Sequence, residues 1–346
     1  MNMRKRSSRA RSWFGFGVDS YGESRRPQLR TLLTLGVVLP LASLWAIVRI
    51  FAVGVSAGVW IAAAALFMFT QFGVTVGNHR YWTHRGFKAR RSLRVVLAVA
   101  SALSIQGSLE SWVRTHRTHH RYSDIVGLDP HTPYEYPGWR GVLWAQGIWL
   151  MFEPPVVLNL SRHHDVAEDR LVQWEGRAFP YLALGQFAVL LAFYPLGGLN
   201  LVLVAGALRV MALMTATGMV NSVCHRWGGR AQDSAGHLYR FDDSRNNLFV
   251  ALITAGEGNH AWHHADPTCP RHGRRITLDA EAKERGVRKD RVPRPDLTWR
   301  LIQLLTWVHL VYDVKRPHSG VHFSTSQCAP KPEFAEIRGL RTTVAG

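Results

Sequence analysis

The stretch TLLTLGVVLPLASLWAIVRIFAVGVSAGVWIAAAALFMFTQFGVTVG, residues 31–77, carries a single charge, Arg49. A bilayer core about 30 Å thick takes roughly 20 apolar residues as helix. The run therefore holds two spans, about 32–53 and 54–76, joined by a very short turn. A second pair follows at about 178–196 and 199–220. It is broken at Tyr194-Pro195-Leu196-Gly197-Gly198, where proline and glycine end one helix and start the next. Runs of this length with so little charge read as membrane spans rather than as core helices of a soluble domain. Arg209 sits in the last span, so that helix must turn one face toward protein, a polar cavity or a headgroup.

Composition supports this division. Of 346 residues, 47% are hydrophobic and 19% charged, and 42 Lys and Arg against 24 Asp and Glu leave a net charge of +18. The mean hydropathy of −0.06 averages an apolar population with a strongly basic one. Collagen-like, disordered and disulfide-scaffold classes are excluded. The three cysteines (Cys224, Cys269, Cys328) are odd in number and widely spaced, which fits neither a disulfide framework nor a thiolate zinc site.

Charge also orients the chain. Residues 1–30 carry eight Lys or Arg, and the segments after each second span are again basic: Arg80, Arg85, Lys88, Arg90, Arg91 and Arg94, then Arg226, Arg230 and Arg240. Positive loops stay in the cytoplasm, so both termini and the middle of the chain are expected there. The amino-terminal stretch is too long and basic for a cleavable signal. The expected organisation is a basic cytosolic segment at 1–30, one integral membrane domain at 31–320 and a tail at 321–346. Apolar segments at about 93–112 and 142–152 are too broken to cross and are expected to lie against the membrane face. Residues 274–295 read as a charged surface insert, and 297–311 as an amphipathic helix. The fold class is thus an all-α integral membrane protein, with four transmembrane helices in two hairpins and a helical cytosolic cap. The charge flanks the spans, so anionic lipid explains it better than nucleic acid.

Nine of the 17 histidines fall into groups just beyond a span or apolar segment. HRYWTH places His79 and His84 after the second span. HRTHH holds His116, His119 and His120; NSVCH ends in His225; HAWHH holds His260, His263 and His264. Residues three and four apart share one face of a helix, so each HxxHH group aims three imidazoles at one small volume. Nine nitrogens exceed one closed four-ligand site, which makes two metals the natural count. Softness alone admits iron, copper, nickel or zinc. Asp124, Asp129, Glu257 and Asp266 are candidates to accept the other ring N–H of these histidines. The remaining histidines (His131, His163, His164, His237, His272, His309, His318, His322) read as surface, loop or supporting residues.

HRYWTHRGFKA, THRTHHRYSD followed by DPH, NSVCH and GEGNHAWHH together resemble the membrane-bound fatty acid desaturases of the stearoyl-CoA (delta-9) type, from about residue 73 to 314. WVRTHRTHH, PRHG and DLTW are most similar to the bacterial, cyanobacterial and plant branch. The resemblance implies a di-iron centre held by His79, His84, His116, His119, His120, His225, His260, His263 and His264, with Asn221 reaching a metal through water. It also implies insertion of a cis double bond, at the delta-9 position, into an acyl chain lying in a kinked apolar tunnel. O2 is the co-substrate. Acyl-CoA, acyl carrier protein or glycerolipid would carry the chain, and a separate donor such as ferredoxin, rubredoxin or a cytochrome b5-like protein would supply electrons. The implied location is a bacterial inner membrane. Asn259 and Ala261 depart from the usual third motif, and the 274–295 insert separates PRHG from DLTW. Related histidine-box hydroxylases, acetylenases and alkane or aldehyde oxidases share the same ligand types. A membrane metal transporter would instead need polar ligands along a path through the bilayer, whereas these histidines all sit on one side.

Overall fold

The computed structural model describes residues 16, 26–152, 164–231, 242–273 and 294–316. Most of segment 1–30, the core of the insert, the 321–346 tail, His163, His237, His318 and His322 lie outside them. Helix α1 runs Leu29–Val53 and α2 runs Ala57–Thr83, with the chain turning at Gly54 (φ 72°). The cap begins with α3 (Arg91–Ala102), α4 (Leu109–Tyr122) and α5 (Trp139–Gln146). A short α6 (His164–Ala167) precedes α7 (Arg170–Ala192), and α8 spans Tyr194–His225. Helices α9 (Leu248–Ile253), α10 (His260–Ala265) and α11 (Leu297–Trp307) complete the cap.

Among the described residues three helices, α1, α2 and α8, are long and apolar enough to cross a membrane. The expected fourth, α7, has 23 residues but starts earlier than the sequence suggests and carries Arg170, Glu175 and Arg177 in its first third. The break between the second pair of spans falls where expected: Pro195 starts a new helix and Gly198 takes φ 60°, ψ −152°. Outward positions along these helices are bare hydrocarbon, with Phe51 86% exposed, Tyr181 78% and Leu196 76%. Such a continuous apolar surface is not tolerated in water, and lipid is the solvent that suits it.

Small side chains bring the hairpins together. Ala46, Val59, Ala63, Val204 and Ala205 are buried in one cluster with Leu190, Leu201 and Leu203, the kind of seam over which helices associate without a hydrophobic driving force. At the far tips Arg49 donates to Asn200 Oδ1 at 2.7 Å, and Asn200 donates to the Gly54 carbonyl at 2.9 Å, so the one charge of the 31–77 run is spent on the second hairpin. Helix α8 presses so closely on α5 that a Cβ at Gly218 would stand 2.1 Å from the Gln146 carbonyl oxygen.

Four expectations about secondary structure need correction. The fold is not purely α: Lys88–Ala89 (β1) pairs antiparallel with Val311–Tyr312 (β2), and the expected 297–311 helix stops at Trp307. The segment at 93–112 is not one apolar helix but the ends of α3 and α4. Between them the chain turns sharply, with Ile105 at φ 59° and Gly107 at φ 92°. Likewise 142–152 breaks at Gly147 into the end of α5 and a short 3-10 turn, Ile148–Met151.

Candidate metal centre

Helix α2 finishes in π-type turns over Gly73–Thr83, delivering His79 within it and His84 just beyond. Five residues apart, the two would diverge by roughly 140° on an α-helix of 3.6 residues per turn. Winding with i→i+5 bonds returns the second beneath the first, and the rings stand 4.9 Å apart. Helix α4 presents His116, His119 and His120. Its first free backbone N–H, from Leu109, is taken by the Glu175 carboxylate at 2.9 Å. His225 closes α8 in a 3-10 turn. Helix α10 is only six residues long and presents His260, His263 and His264.

The structure brings all nine grouped histidines together, in two sets. His79, His84, His116, His120 and His263 form one and His119, His225, His260 and His264 the other; within each, the candidate ligand atoms lie within 4.8 Å of one another. The sets adjoin, with the His120 and His264 rings stacked at 4.3 Å. Nε2 atoms face each other at 2.9 Å (His79 and His263), 2.8 Å (His263 and His120), 3.1 Å (His120 and His116), 3.3 Å (His119 and His264) and 3.0 Å (His225 and His260).

Carboxylates behind the rings decide what those nitrogens can be. Nδ1–H donates to Glu257 from His79 (2.6 Å), to Asp129 from His119 (3.0 Å), to Asp124 from His225 (2.9 Å) and to Asp242 from His264 (2.5 Å). This leaves the inner Nε2 of each neutral ring with a lone pair only. His119 and His264 thus point two lone pairs at each other, which is repulsive unless a cation lies between. Metal–imidazole bonds of about 2.0–2.1 Å put neighbouring nitrogens roughly 2.8–3.4 Å apart around one ion, for angles at the metal between about 90° and 109°. The observed separations match, so the residues present fit metal, and two adjoining sets fit two ions.

The electrostatics favour neutral ligands. Burial, and after it neighbouring imidazoles, hold His84, His116, His260, His263 and His264 well below the usual histidine value of 6.5. Burial tends to raise Glu257, but the Arg80 guanidinium and His79 overcome it and keep that carboxylate ionised well below its usual range. Arg80 is fully buried and reaches Glu257, Asp296 and the Pro270 carbonyl at 2.6–2.9 Å. It thereby ties α2, the third histidine group and the start of α11 into one block.

A cavity of about 310 Å³ opens beside the first set, lined by His116, His131, Trp112, Trp149, Phe179, Ile105, Met214 and Asn221, among others. Its wall is braced internally at Gln106. Gln106 donates to Thr217 Oγ1 at 2.9 Å and accepts from the Trp112 indole at 3.3 Å, joining the turn after α3 to α4 and α8.

A histidine-rich two-cluster site at the end of an apolar cavity, under membrane-crossing helices, narrows the family, and residues 54–281 match the Fatty acid desaturase family model. The chain belongs to the fatty acid desaturase family. Its members are oxidoreductases. Similar proteins include the acyl-CoA 5-desaturase AL21 of Anemone leveillei, 33% identical over 282 residues (80% of this chain, 78% of the relative). The sn-1 stearoyl-lipid 9-desaturase of Synechocystis is 32% identical over 246 residues, covering 71% of this chain and 68% of the relative. The stearoyl-CoA desaturase of Sus scrofa is 32% identical over 260 residues, with the same shares.

In this desaturase three of the four acidic candidates, Asp124, Asp129 and Glu257, each back a histidine, whereas the fourth, Asp266, is buried just after α10 and its backbone N–H donates to the His263 carbonyl at 3.2 Å. Sequence reasoning missed Asp242. It also left His131 and His272 among general supporting residues. Both are buried against the clusters, His131 beside Asp129 and His272 beside Glu257, and burial lowers them to about 3 and about 4. Their DPH and PRHG contexts were the available signal. The departures at Asn259 and Ala261 leave the cavity wall untouched: both are buried, and neither lines it.

Proposed function

We propose that this desaturase introduces a cis double bond, at the delta-9 position, into a saturated acyl chain. The overall change consumes the chain, O2, two electrons and two protons, and yields the alkene and two waters. The observation that carries this reading is the pair of adjoining histidine sets, both backed by carboxylates, the first of which meets an apolar cavity at His116.

His79, His84, His116, His120 and His263 would hold one iron ion, and His119, His225, His260 and His264 the other, with Asn221 acting through water. When bound, the two ions supply the O2 activation that no side chain provides. The chain's own residues do the positioning. Glu257, Asp129, Asp124 and Asp242 keep the Nδ1 protons of His79, His119, His225 and His264 in place, so these four would meet metal through their Nε2 lone pairs. Trp112, Trp149, Ile105 and Met214 exclude water along the acyl chain, and the Gln106 brace sets the bend in its path.

The names of the relatives support an acyl-CoA or acyl-lipid substrate, and acyl carrier protein is a third carrier the basic cap would accept. Electrons would come from a separate acidic donor (ferredoxin, rubredoxin or cytochrome b5-like) docked on that cap. We place α7 as the fourth span, and both termini and the metal centre on the cytosolic side of a bacterial inner membrane, on the strength of the basic segments flanking the spans.

Expression in a host lacking unsaturated fatty acids, with mass spectrometry that locates double bonds in the lipids, tests this directly. The expected product is a cis-9 monoene. A hydroxylated chain without alkene overturns desaturation, and a 5-monoene overturns the position alone. Alanine at His119 or His263 is expected to abolish the product; full activity in both variants would falsify the ligand assignment.

A further inference from the structure

Arg209 lies in the middle of α8 and is 3% exposed. Among the described residues it has no carboxylate partner. Its guanidinium donates instead to four neutral acceptors: the Ala205 carbonyl at 3.2 Å, the Leu103 carbonyl at 3.1 Å, Thr70 Oγ1 at 3.5 Å and Gln186 Oε1. A cation at this depth carries a large desolvation cost, and an apolar side chain of similar length would fill the same space without it. What an apolar side chain lacks is a fork of directed bonds.

Two of those bonds, to Leu103 and Gln186, lead to elements that line the cavity. Gln186 belongs to α7, which contributes Phe179 to the lining. Leu103 opens the turn that contributes Ile105 and Gln106. Helix α8 itself contributes Met214 and Thr217. The turn is therefore strapped to α8 at two points, its start by Arg209 on the Leu103 carbonyl and its end by Thr217 on the Gln106 amide. Between the straps the backbone is in the left-handed region at Ile105 (φ 59°), and just beyond them at Gly107 (φ 92°). At a β-branched residue such as Ile105 that conformation persists only where surrounding contacts over-determine it.

We infer that Arg209 is a positioning residue that registers the Leu103–Gly107 turn and α7 against α8, and so decides which carbons of the acyl chain face the metal centre. This rests on the desaturase reading above. Loosening the straps lets the bend slide along the chain while the metal ligands, on α2, α4, α10 and the end of α8, stay where they are.

The test uses the full-length, metal-loaded protein in membranes with a saturated acyl substrate, and reads double-bond positions, kcat and KM. Arg209→Met is expected to raise the minor positional isomers several-fold. Turnover should fall about ten- to a hundredfold, the scale of an ångström of misplacement, with KM little changed. Arg209→Lys should recover part of the isomer purity, since it keeps donors without the fork. Gln186→Met, which removes one acceptor, should shift the products in the same direction by less. A folded Arg209→Met chain with the wild-type isomer distribution overturns the inference. If that chain does not fold, Gln186→Met decides, and an unchanged distribution there overturns it equally. A wild-type chain that makes no alkene overturns the desaturase reading and this inference together, whereas one that makes a single isomer isolates the role of Arg209.

Discussion

Asp242 lies 22 positions before His264 in sequence, and its Oδ2 accepts the His264 Nδ1–H at 2.5 Å. Nothing in the local sequence marks it. It sits in a YRFDDSRNN run that reads as an ordinary polar loop, while Asp124 and Asp129 stand beside a histidine motif and Glu257 within one. The chemistry is the same in all four: a buried carboxylate fixes the tautomer and raises the basicity of the opposite nitrogen. Asp242→Ala is therefore expected to weaken metal binding about 10- to 100-fold, and Asp242→Asn by less, because its amide oxygen can still accept. Metal titration of the purified variants measures this without recourse to turnover. Glu257 differs from the others in that it also neutralises Arg80, so its removal leaves that buried cation with Asp296 alone. Glu257→Gln should therefore cost stability, by less than the ~3–5 kcal/mol of a fully broken buried pair, as well as metal affinity. Denaturant titration of the metal-free chain separates the two effects.

At the scale of elements, the helices that hold the ligands are not self-sufficient. Six residues cannot sustain α10 in isolation. It is held by Asn246, whose Oδ1 accepts from Trp262 N, and by Asn259, which donates to the Gly256 and Pro295 carbonyls. Pro295 sits at the far end of the insert, and Asp296 next to it accepts the backbone N–H groups of both His272 and Gly273. The insert thus leaves and returns at one closed base. Closure entropy grows only slowly with loop length, so a long insert between PRHG and DLTW is compatible with that closed base. Packing between α8 and α5 is less forgiving. Gly218→Val would drive its side chain into the Gln146 carbonyl and disturb the bonds from Gln146 to Thr215 and from Ser222 to Gln146. A loss of at least about 1–3 kcal/mol is expected, the usual cost of overpacking, read as a lower Tm in detergent with α-helical content retained.

Across the whole molecule the sharpest prediction concerns acid. The buried histidines of both sets outside the spans have values below the unfolded 6.5, so at low pH the unfolded chain binds protons that the folded chain refuses. Their contribution to stability is complete above pH 6.5. It is lost as pH falls from 6.5 toward their folded-state values, and His272 and His131 behind the sets, lowered by burial to about 4 and about 3, add to the loss. The Tm of the metal-free protein should therefore fall steeply between pH 6.5 and 4. At fixed pH above that window, ferrous iron at a hundred times its dissociation constant should add about 2.7 kcal/mol. A metal-free Tm that stays flat across that window would contradict neutral, buried rings.

The one-dimensional pattern determined the membrane-spanning runs at 31–77 and 199–220, the break at Pro195–Gly198 and the membership of the histidine constellation. Hydrophobic length and i, i+3, i+4 spacing are local properties, and a chain reads them directly. Only the tertiary structure decided which histidine joins which set, that Asp242, His131 and His272 stand behind them, and that the 93–112 run breaks at a left-handed turn. It also decided that Arg209 reaches four neutral acceptors rather than lipid headgroups. Each of these depends on atoms brought together from remote positions, such as Leu103 with Arg209 or His79 with His263. Contacts of that separation are set by how helices pack, which spacing along the chain does not encode.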